Sequence, residues 1–306
     1  MAGSIRLRRV NAAGPAALAA LIAVVAGPAC VMIGADQPKY VEREEKRFAV
    51  SGRPDVSVST FDGSIEVRTS DRPEVAVTIE KRAISKDAAA QIDVHTEQSG
   101  NHVVVDVRMP RGGRFLDIGW NNSSAKLIVT LPAASDLEAH SGDGSIDVDR
   151  LTGTLNLRSG DGSIHGRDLA GDVKVHTGDG AIKLDQVSGA LDVDTGDGTI
   201  TVAGKLTSVR ARSGDGSVTI RAAAGSHTEA DWNITTGDGS VVLEVSDDFG
   251  GELDAHTGDG RIQIQDVTLS NVTGPVGKST VRGRLGSGGH AVRVRTGDGS
   301  ITLRRF

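Results

Sequence analysis

The sequence predicts an all-β fold, a single-stranded parallel β-solenoid with coils of about 18 residues, preceded by an irregular β region that caps it. The first observation is a tetrapeptide, Ser/Thr-Gly-Asp-Gly, that occurs eight times. The second is its spacing, because the first five copies follow one another at steps of 18 residues. The third is the alternation of apolar and polar residues on both sides of each copy, which is typical of short strands with one buried face.

Residues 191–206 (LDVDTGDGTITVAGKL) show what one repeat contains. Leu191 and Val193 alternate with polar residues before the turn, and Ile200 and Val202 do so after it. Each repeat is therefore predicted to hold two short strands joined at a Gly-rich corner. The corners are marked by eight aspartates, which we assign as structural turn residues: Asp143, Asp161, Asp179, Asp197, Asp215, Asp238, Asp259 and Asp298.

Two strand arrangements fit this pattern. One is an antiparallel meander, in which Asp-Gly is a favoured hairpin turn. The other is a parallel solenoid, which the constant repeat length favours because stacked repeats align like residues and bury one aliphatic core. Stacking each repeat on the last would also place outward residues of alternating charge above one another, in the series Lys174, Asp192, Arg210 and His176, Asp194, Arg212.

Stacking would gather the eight aspartates into one column of like charge. The simplest explanation is a local turn in which each Asp accepts backbone N–H groups, the flanking glycines adopt positive φ, and the preceding Ser or Thr hydroxyl joins in. A column of Ca²⁺ ions is the alternative. It is disfavoured because the aspartate of the calcium-binding nonapeptide corresponds to Asp147 in the first repeat but to His165 and Lys183 in the next two. We therefore expect neither a metal site nor a cofactor.

Residues 1–30 are predicted to be an export signal of the lipoprotein type. A basic start at Arg6, Arg8 and Arg9 precedes an apolar run over 12–26, and small residues lead to Cys30, the only cysteine. We assign Cys30 as the lipid-attachment residue, with ordinary secretion and an uncleaved anchor as alternatives. All three place the rest of the chain outside the cytoplasm, at the cell envelope. Residues 31–44 are predicted to be a linker.

Residues 45–136 are predicted to form the irregular β cap, and residues 137–306 the repeat region. Within the cap, Phe61 to Val67 is a degenerate copy of the repeat that follows an alternating strand. Phe115 and Trp120 either plug the open end of the solenoid or form an exposed contact. Further strands are expected at 75–79, 92–94, 103–107 and 127–131, with one short helix at 85–91.

The composition and motifs argue against several classes of function. A net charge of −6 offers no basic footprint for nucleic acid. The eight histidines are scattered, and no catalytic residue set is identified. A polysaccharide-active β-helix enzyme remains the alternative, and it would need clustered carboxylates beside Arg or Lys in a groove framed by long loops.

The export signal, the irregular β start and the serial Gly-Asp-Gly-(Ser/Thr)-Ile strands, with the ending GGHAVRVRTGDGSITL at 288–303, resemble a bacterial β-strand-repeat family of candidate adhesins with a domain of unknown function. The resemblance covers about residues 45–306. It implies a parallel β-solenoid displayed on or near the cell envelope, without catalytic residues. We expect a non-catalytic adhesin-like or structural binding module whose partner is an unknown protein or glycan, and which meets the membrane only through its N-terminal anchor.

Overall fold

The computed structural model describes residues 25–26, 40–109, 123–273 and 279–306. Within them the fold is all-β with one short helix, α1 (Lys86–Ala90), which confirms the predicted fold class at the level of secondary structure. The strands are β1 (Val25–Ala26), β2 (Tyr40–Ala49), β3 (Asp55–Thr60), β4 (Ile65–Ser70), β5 (Glu74–Ala83), β6 (Asp93–Ser99), β7 (His102–Arg108), β8 (Ser124–Pro132), β9 (Asp136–Ser141), β10 (Ile146–Asp149), β11 (Thr152–Ser159), β12 (Ile164–Arg167), β13 (Ala170–Thr177), β14 (Ile182–Thr195), β15 (Ile200–Ser213), β16 (Val218–Ala222), β17 (Trp232–Thr236), β18 (Val241–Val245), β19 (Gly251–Thr257), β20 (Ile262–Gln265), β21 (Leu269–Thr273), β22 (Thr280–Leu285), β23 (Ala291–Thr296) and β24 (Ile301–Arg305).

The strands on the two sides of each Gly-Asp-Gly corner lie in two ladders. Ladder A holds the strand segments before the corners, and ladder B those after them. In ladder A, Val173 pairs with Leu191, and Leu191 pairs with Val209, all in parallel strands. Ladder B has the same offset of 18 residues, for example between Ile182 and Ile200. Consecutive repeats therefore lie in register one strand apart, about 4.8 Å, and the hairpin alternative does not describe these pairings.

We number the repeats 1 to 8 by their aspartates, from Asp143 to Asp298. The degenerate copy, with Asp62 at its corner, is repeat 0. Its strand β3 pairs in parallel with β9 of repeat 1, and β4 pairs in parallel with β10. The degenerate copy is thus a full level of both ladders.

The last repeat breaks the expected order. Ile234 of repeat 6 pairs with Val294 of repeat 8, and Val294 pairs on its other side with Ala255 of repeat 7. Repeat 8 thus lies between repeats 6 and 7, so the prediction that each repeat stacks on the one before it is wrong here. The order can change because every repeat presents equivalent aliphatic residues to its neighbours, so repeat 8 fits between repeats 6 and 7. The outer edge of repeat 7 is covered in ladder A by β22, which pairs antiparallel with β19.

At the other end, the predicted irregular strands extend both ladders. β7 pairs in parallel with β3 and antiparallel with β6, while β8 pairs in parallel with β4 and antiparallel with β5. Helix α1 begins after its N-cap Ser85, whose side chain accepts the Ala88 N–H. The predicted short helix is confirmed.

The predicted linker 31–44 overlaps a strand, because β2 begins at Tyr40 and pairs antiparallel with β5. The sequence of β2, YVEREEKRFA, is mostly polar and so does not look like a strand. In the sheet its charged residues form ion pairs, such as those of Glu44 with Lys46 and Lys81, both at 3.3 Å. Residues 31–39, Cys30, Phe115 and Trp120 lie outside the described residues, as does the predicted signal apart from β1. No helix in the described ranges has the length and apolarity needed to span a bilayer.

The inward residues of both ladders form one aliphatic core. Leu155, Leu157 and Ile164 of repeat 2 are fully buried, and equivalent residues are buried in the other repeats. The segments between repeats contribute further buried side chains, of which Leu151 and Leu169 are examples. Two continuous ladders closed over such a core hold the outward side chains on a fixed lattice.

Candidate functional site

A row of buried hydroxyls joins the corners of neighbouring repeats. Thr195 Oγ1 donates to the Gly180 carbonyl at 3.0 Å, and Ser213 Oγ donates to the Gly198 carbonyl at 2.8 Å. Ser213 Oγ also accepts the N–H of Gly216 in its own turn at 3.0 Å. The equivalent donation to a neighbouring corner glycine is made by Ser141, Ser159, Thr177, Thr236, Thr257 and Thr296. The predicted role of the hydroxyl in its own turn is confirmed at Ser213, and the hydroxyl also connects the repeats.

The corner glycines are required for a different reason from the one predicted. In repeats 1 to 8 they do not have positive φ, so that prediction is wrong. They are needed because adjacent corners nearly touch. A Cβ on Gly198 would lie 2.0 Å from the Gly180 oxygen, and one on Gly216 would lie 2.0 Å from the Gly198 oxygen. Any side chain at these positions would push the two repeats apart.

The eight corner aspartates form an exposed column along one edge of the molecule. The expected backbone N–H bonds to their carboxylates are not among the hydrogen bonds of the described repeats. In five repeats the Ser or Thr hydroxyl accepts a turn N–H instead, as Ser141 does from Gly144. At repeat 0, Asp62 is only partly exposed. Burial, and then the charge of Asp143, raise the pKa of Asp62.

The described residues contain no group of three or more His, Cys, Asp or Glu side chains placed to hold a metal ion. The expectation of no metal site stays a prediction, and a chelator experiment can test the disfavoured Ca²⁺ alternative.

The outward face of ladder A has the predicted alternation of charge. Asp192 pairs in register with Lys174 on one side and Arg210 on the other. His176 Nδ1 lies 3.0 Å from Asp194 Oδ1, as expected for vertical neighbours. Their exposure makes such pairs weak, with stabilisation of about 0–1 kcal/mol each.

Ladder B holds a charged cluster that sequence reasoning missed. The side chain of Glu244 is 3% exposed, and its carboxylate pairs with Arg221 on one side and with Arg304 Nε at 2.9 Å on the other. The hydrogen bond from Arg221 is the main reason why the pKa of Glu244 is lowered, with a further contribution from Arg304 and partial opposition from burial. The three residues are distant in sequence, and only the insertion of repeat 8 beside repeat 6 brings Arg304 to Glu244.

The predicted spread of the histidines is confirmed for His140 and His176, which lie two levels apart with Arg158 between them. A groove of about 980 Å³ lies between α1, β3 and β7 at the capped end. In it Asp106 accepts the Ser59 hydroxyl at 2.6 Å and pairs with Arg108. This carboxylate therefore already has a hydrogen-bond donor and an ion-pair partner within the protein.

The fold and its corners define an all-β repeat protein with two parallel ladders on one aliphatic core. The family model described as Toastrack DUF4097 matches residues 55–304, and the chain belongs to this family. The predicted resemblance is thereby confirmed. No curated protein matches the chain.

Several solved structures are similar to this chain at low identity. A candidate adhesin from Bacteroides fragilis is 15% identical, with 86% of this chain and 97% of that chain covered and a TM-score of 0.43. A candidate adhesin from Parabacteroides merdae is 10% identical, with coverages of 85% and 95% and a TM-score of 0.37. A candidate lipid-binding protein from Parabacteroides distasonis is 16% identical, with coverages of 85% and 96% and a TM-score of 0.41.

Proposed function

We propose that this protein is a non-catalytic, adhesin-like module of the cell envelope that presents the outer faces of a rigid β-solenoid to a protein or glycan. In this proposal the repeats wind as a single-stranded parallel solenoid with coils of about 18 residues. The parallel pairing of the repeats at an 18-residue offset supports it, as does the single core that both ladders share.

The contrast between inward and outward residues carries the proposal. At one inward position of ladder A the successive repeats have the buried aliphatic residues Leu155, Val173, Leu191 and Val209. The next residue in each repeat points outward and changes in charge and shape, as Asn156, Lys174, Asp192 and Arg210. A constant interior with a variable exterior is how repeat scaffolds build recognition surfaces.

The buried hydroxyl row supports the same function through rigidity. A side chain that is already held in place loses little conformational freedom when a partner binds, which improves affinity. Because every corner is tied to the next by a hydroxyl, the outward lattice is preorganised over the whole stack.

The envelope location rests on the N-terminal sequence. Residues 1–30 have the layout of an export signal, and Cys30 is the proposed lipid-attachment residue. Metabolic labelling with a radioactive fatty acid tests this step, since the label should enter the wild-type protein and be absent from the Cys30→Ser variant. Equal labelling of both proteins would contradict lipidation at this residue.

The function is tested by titrating the immobilised protein with fractionated envelope proteins and glycans. We expect saturable binding of a discrete component, without release of reducing ends from any polysaccharide. Cleavage of a polysaccharide by the purified protein would favour the β-helix enzyme instead. Thermal melts of the same sample with and without chelator test the Ca²⁺ alternative, and we expect the midpoint not to change.

A further inference from the structure

The outward face of ladder B changes its chemistry from repeat 4 onward. In repeats 1 to 3 the first outward residue of the strand is charged or titratable: Asp147, His165 and Lys183. In the next four levels of the stack, repeats 4, 5, 6 and 8, it is Thr201, Thr219, Val242 and Thr302. These four are direct register partners across adjacent strands.

A column of four hydroxyls runs beside this one, in which Val242 is the member without a hydroxyl. Two residues earlier in the same four repeats stand Thr199, Ser217, Ser240 and Ser300. We call these eight residues the hydroxyl face. It measures about 14 Å across four strands and about 7 Å between the two columns. None of the eight residues is charged, and the exposed corner aspartates Asp197, Asp215, Asp238 and Asp298 stand two residues before the second column.

Most hydroxyls of this face are available for a ligand, although Ser240 Oγ and Ser300 Oγ each accept one backbone N–H at 3.4 Å. Those of Thr201, Thr219 and Thr302 make no side-chain hydrogen bond to another residue that the structure describes. The hydroxyl of Thr195, by contrast, is buried and bonded to the neighbouring corner. The same residue type therefore serves the scaffold on the inside and leaves donors and acceptors unused on the outside.

The rim of the hydroxyl face carries planar groups. Glu244 holds the guanidinium groups of Arg221 and Arg304, whose side chains remain about half exposed. The ring of Phe306 is 53% exposed and lies with its centroid 5.0 Å from Arg221 Cζ. An exposed aromatic ring next to fixed donors combines apolar contact with directed hydrogen bonding.

We propose that the hydroxyl face binds a neutral, extended polysaccharide chain, with Phe306 and the Arg221–Glu244–Arg304 row at its edge. A chain of sugar rings that runs across the strands advances by about one ring per strand, so successive rings meet a hydroxyl of the second column at every level and one of the first column at all levels but that of Val242. A sugar ring offers hydroxyls on its rim and C–H groups on its faces, which match the hydroxyl columns and the aromatic ring. The face itself offers no positive charge to an acidic glycan and the aspartate column beside it would repel one, so a neutral glycan is favoured.

This inference rests on the proposed function and specifies its partner. Charged substitutions at the second and the last level of the face should block the chain without disturbing the core. The double variant Thr219→Lys/Thr302→Lys does so on ladder B. The matched control is Thr235→Lys, an exposed outward residue of ladder A. All three full-length proteins are compared by thermal melting before binding is measured.

Binding is measured by depletion onto insoluble neutral glucan and chitin, and by affinity electrophoresis with soluble neutral and acidic polysaccharides. We expect the wild type and Thr235→Lys to bind a neutral polymer equally, also at high salt, and the double variant to bind at least about tenfold more weakly. Undiminished binding of the double variant to the neutral polymer would overturn this site but leave the proposed function intact.

Binding of the wild type to acidic polymers alone, with loss at high salt, would also overturn the inference, since it would indicate a charged surface. A saturable protein partner from the envelope with no glycan binding would refute it in favour of protein recognition. The absence of any saturable partner, protein or glycan, would refute the proposed function as well.

Discussion

The hydroxyl row at the corners makes a quantitative prediction at Thr195. Its side chain is 3% exposed and donates to the Gly180 carbonyl at 3.0 Å. Thr195→Val keeps the shape of the side chain and replaces the hydroxyl with a methyl group, which cannot donate to the carbonyl. A buried carbonyl that loses its partner costs about 1–3 kcal/mol, and we expect the free energy of unfolding to fall by that amount.

The matched control is Thr201→Val, six residues further on and on the outward face. Its hydroxyl has no side-chain partner among the described residues, so the same chemical change should alter stability by less than about 0.5 kcal/mol. Both variants are compared with the wild type by urea denaturation followed by far-UV circular dichroism. The slope of the transition is expected to stay constant, because the buried area does not change.

Equal stability of the two variants would refute the reasoning, because it would mean that the corners are held together without the hydroxyls. Repeat arrays sometimes unfold in parts. Hydrogen exchange of the amides in repeats 3 to 5 therefore complements the denaturation curve. Faster exchange in Thr195→Val should be centred on those repeats.

Three further predictions concern the corners and the order of the repeats. Gly198→Ala places a Cβ 2.0 Å from the Gly180 oxygen and should lower the free energy of unfolding by at least about 2 kcal/mol. In thermal melts its midpoint should fall further than that of Gly52→Ala, where φ is +68° but no atom lies within 4 Å of the added Cβ. Because the folded state raises the pKa of Asp62, the charge of this residue opposes folding at neutral pH. Asp62→Asn should therefore be more stable than the wild type in urea titrations at neutral pH. The gain should appear as pH rises through the pKa of Asp62 and vanish in acid. Deletion of repeat 8 should expose Trp232, which pairs with it, and red-shift the tryptophan fluorescence, whereas an unshifted spectrum would contradict the insertion.

The repeating part of the fold could be predicted because its signals are local. The 18-residue period and the alternation around residues such as Leu191 and Ile200 specify strand positions, register and the buried face. The vertical pairing of Lys174, Asp192 and Arg210 followed from the same period. The degenerate copy at Asp62 was found because it keeps the Asp-Gly corner and its flanking strands.

What could not be predicted depends on contacts between distant segments. All repeats offer similar aliphatic residues to their neighbours, so periodicity alone cannot show that repeat 8 lies beside repeat 6. For that reason the contact between Glu244 and Arg304 was missed. The role of the glycines was misjudged because Gly198 is read from sequence as a turn residue, whereas its requirement comes from the adjacent backbone. The start of strand β2 was missed because its residues are polar, and the ion pairs that let them lie against β5 cannot be read from the sequence.

The position of repeat 8 has a consequence for how the molecule is made and handled. The end of the stack that lies beyond repeat 8 is built from β19 to β22, while β24 lies one strand further in, between β18 and β20. Repeat 7 therefore cannot take its place in the stack until the strands of repeat 8 have been synthesised. A domain fused after Phe306 would project sideways beside the hydroxyl face, whereas an insertion at that end of the stack would extend the long axis.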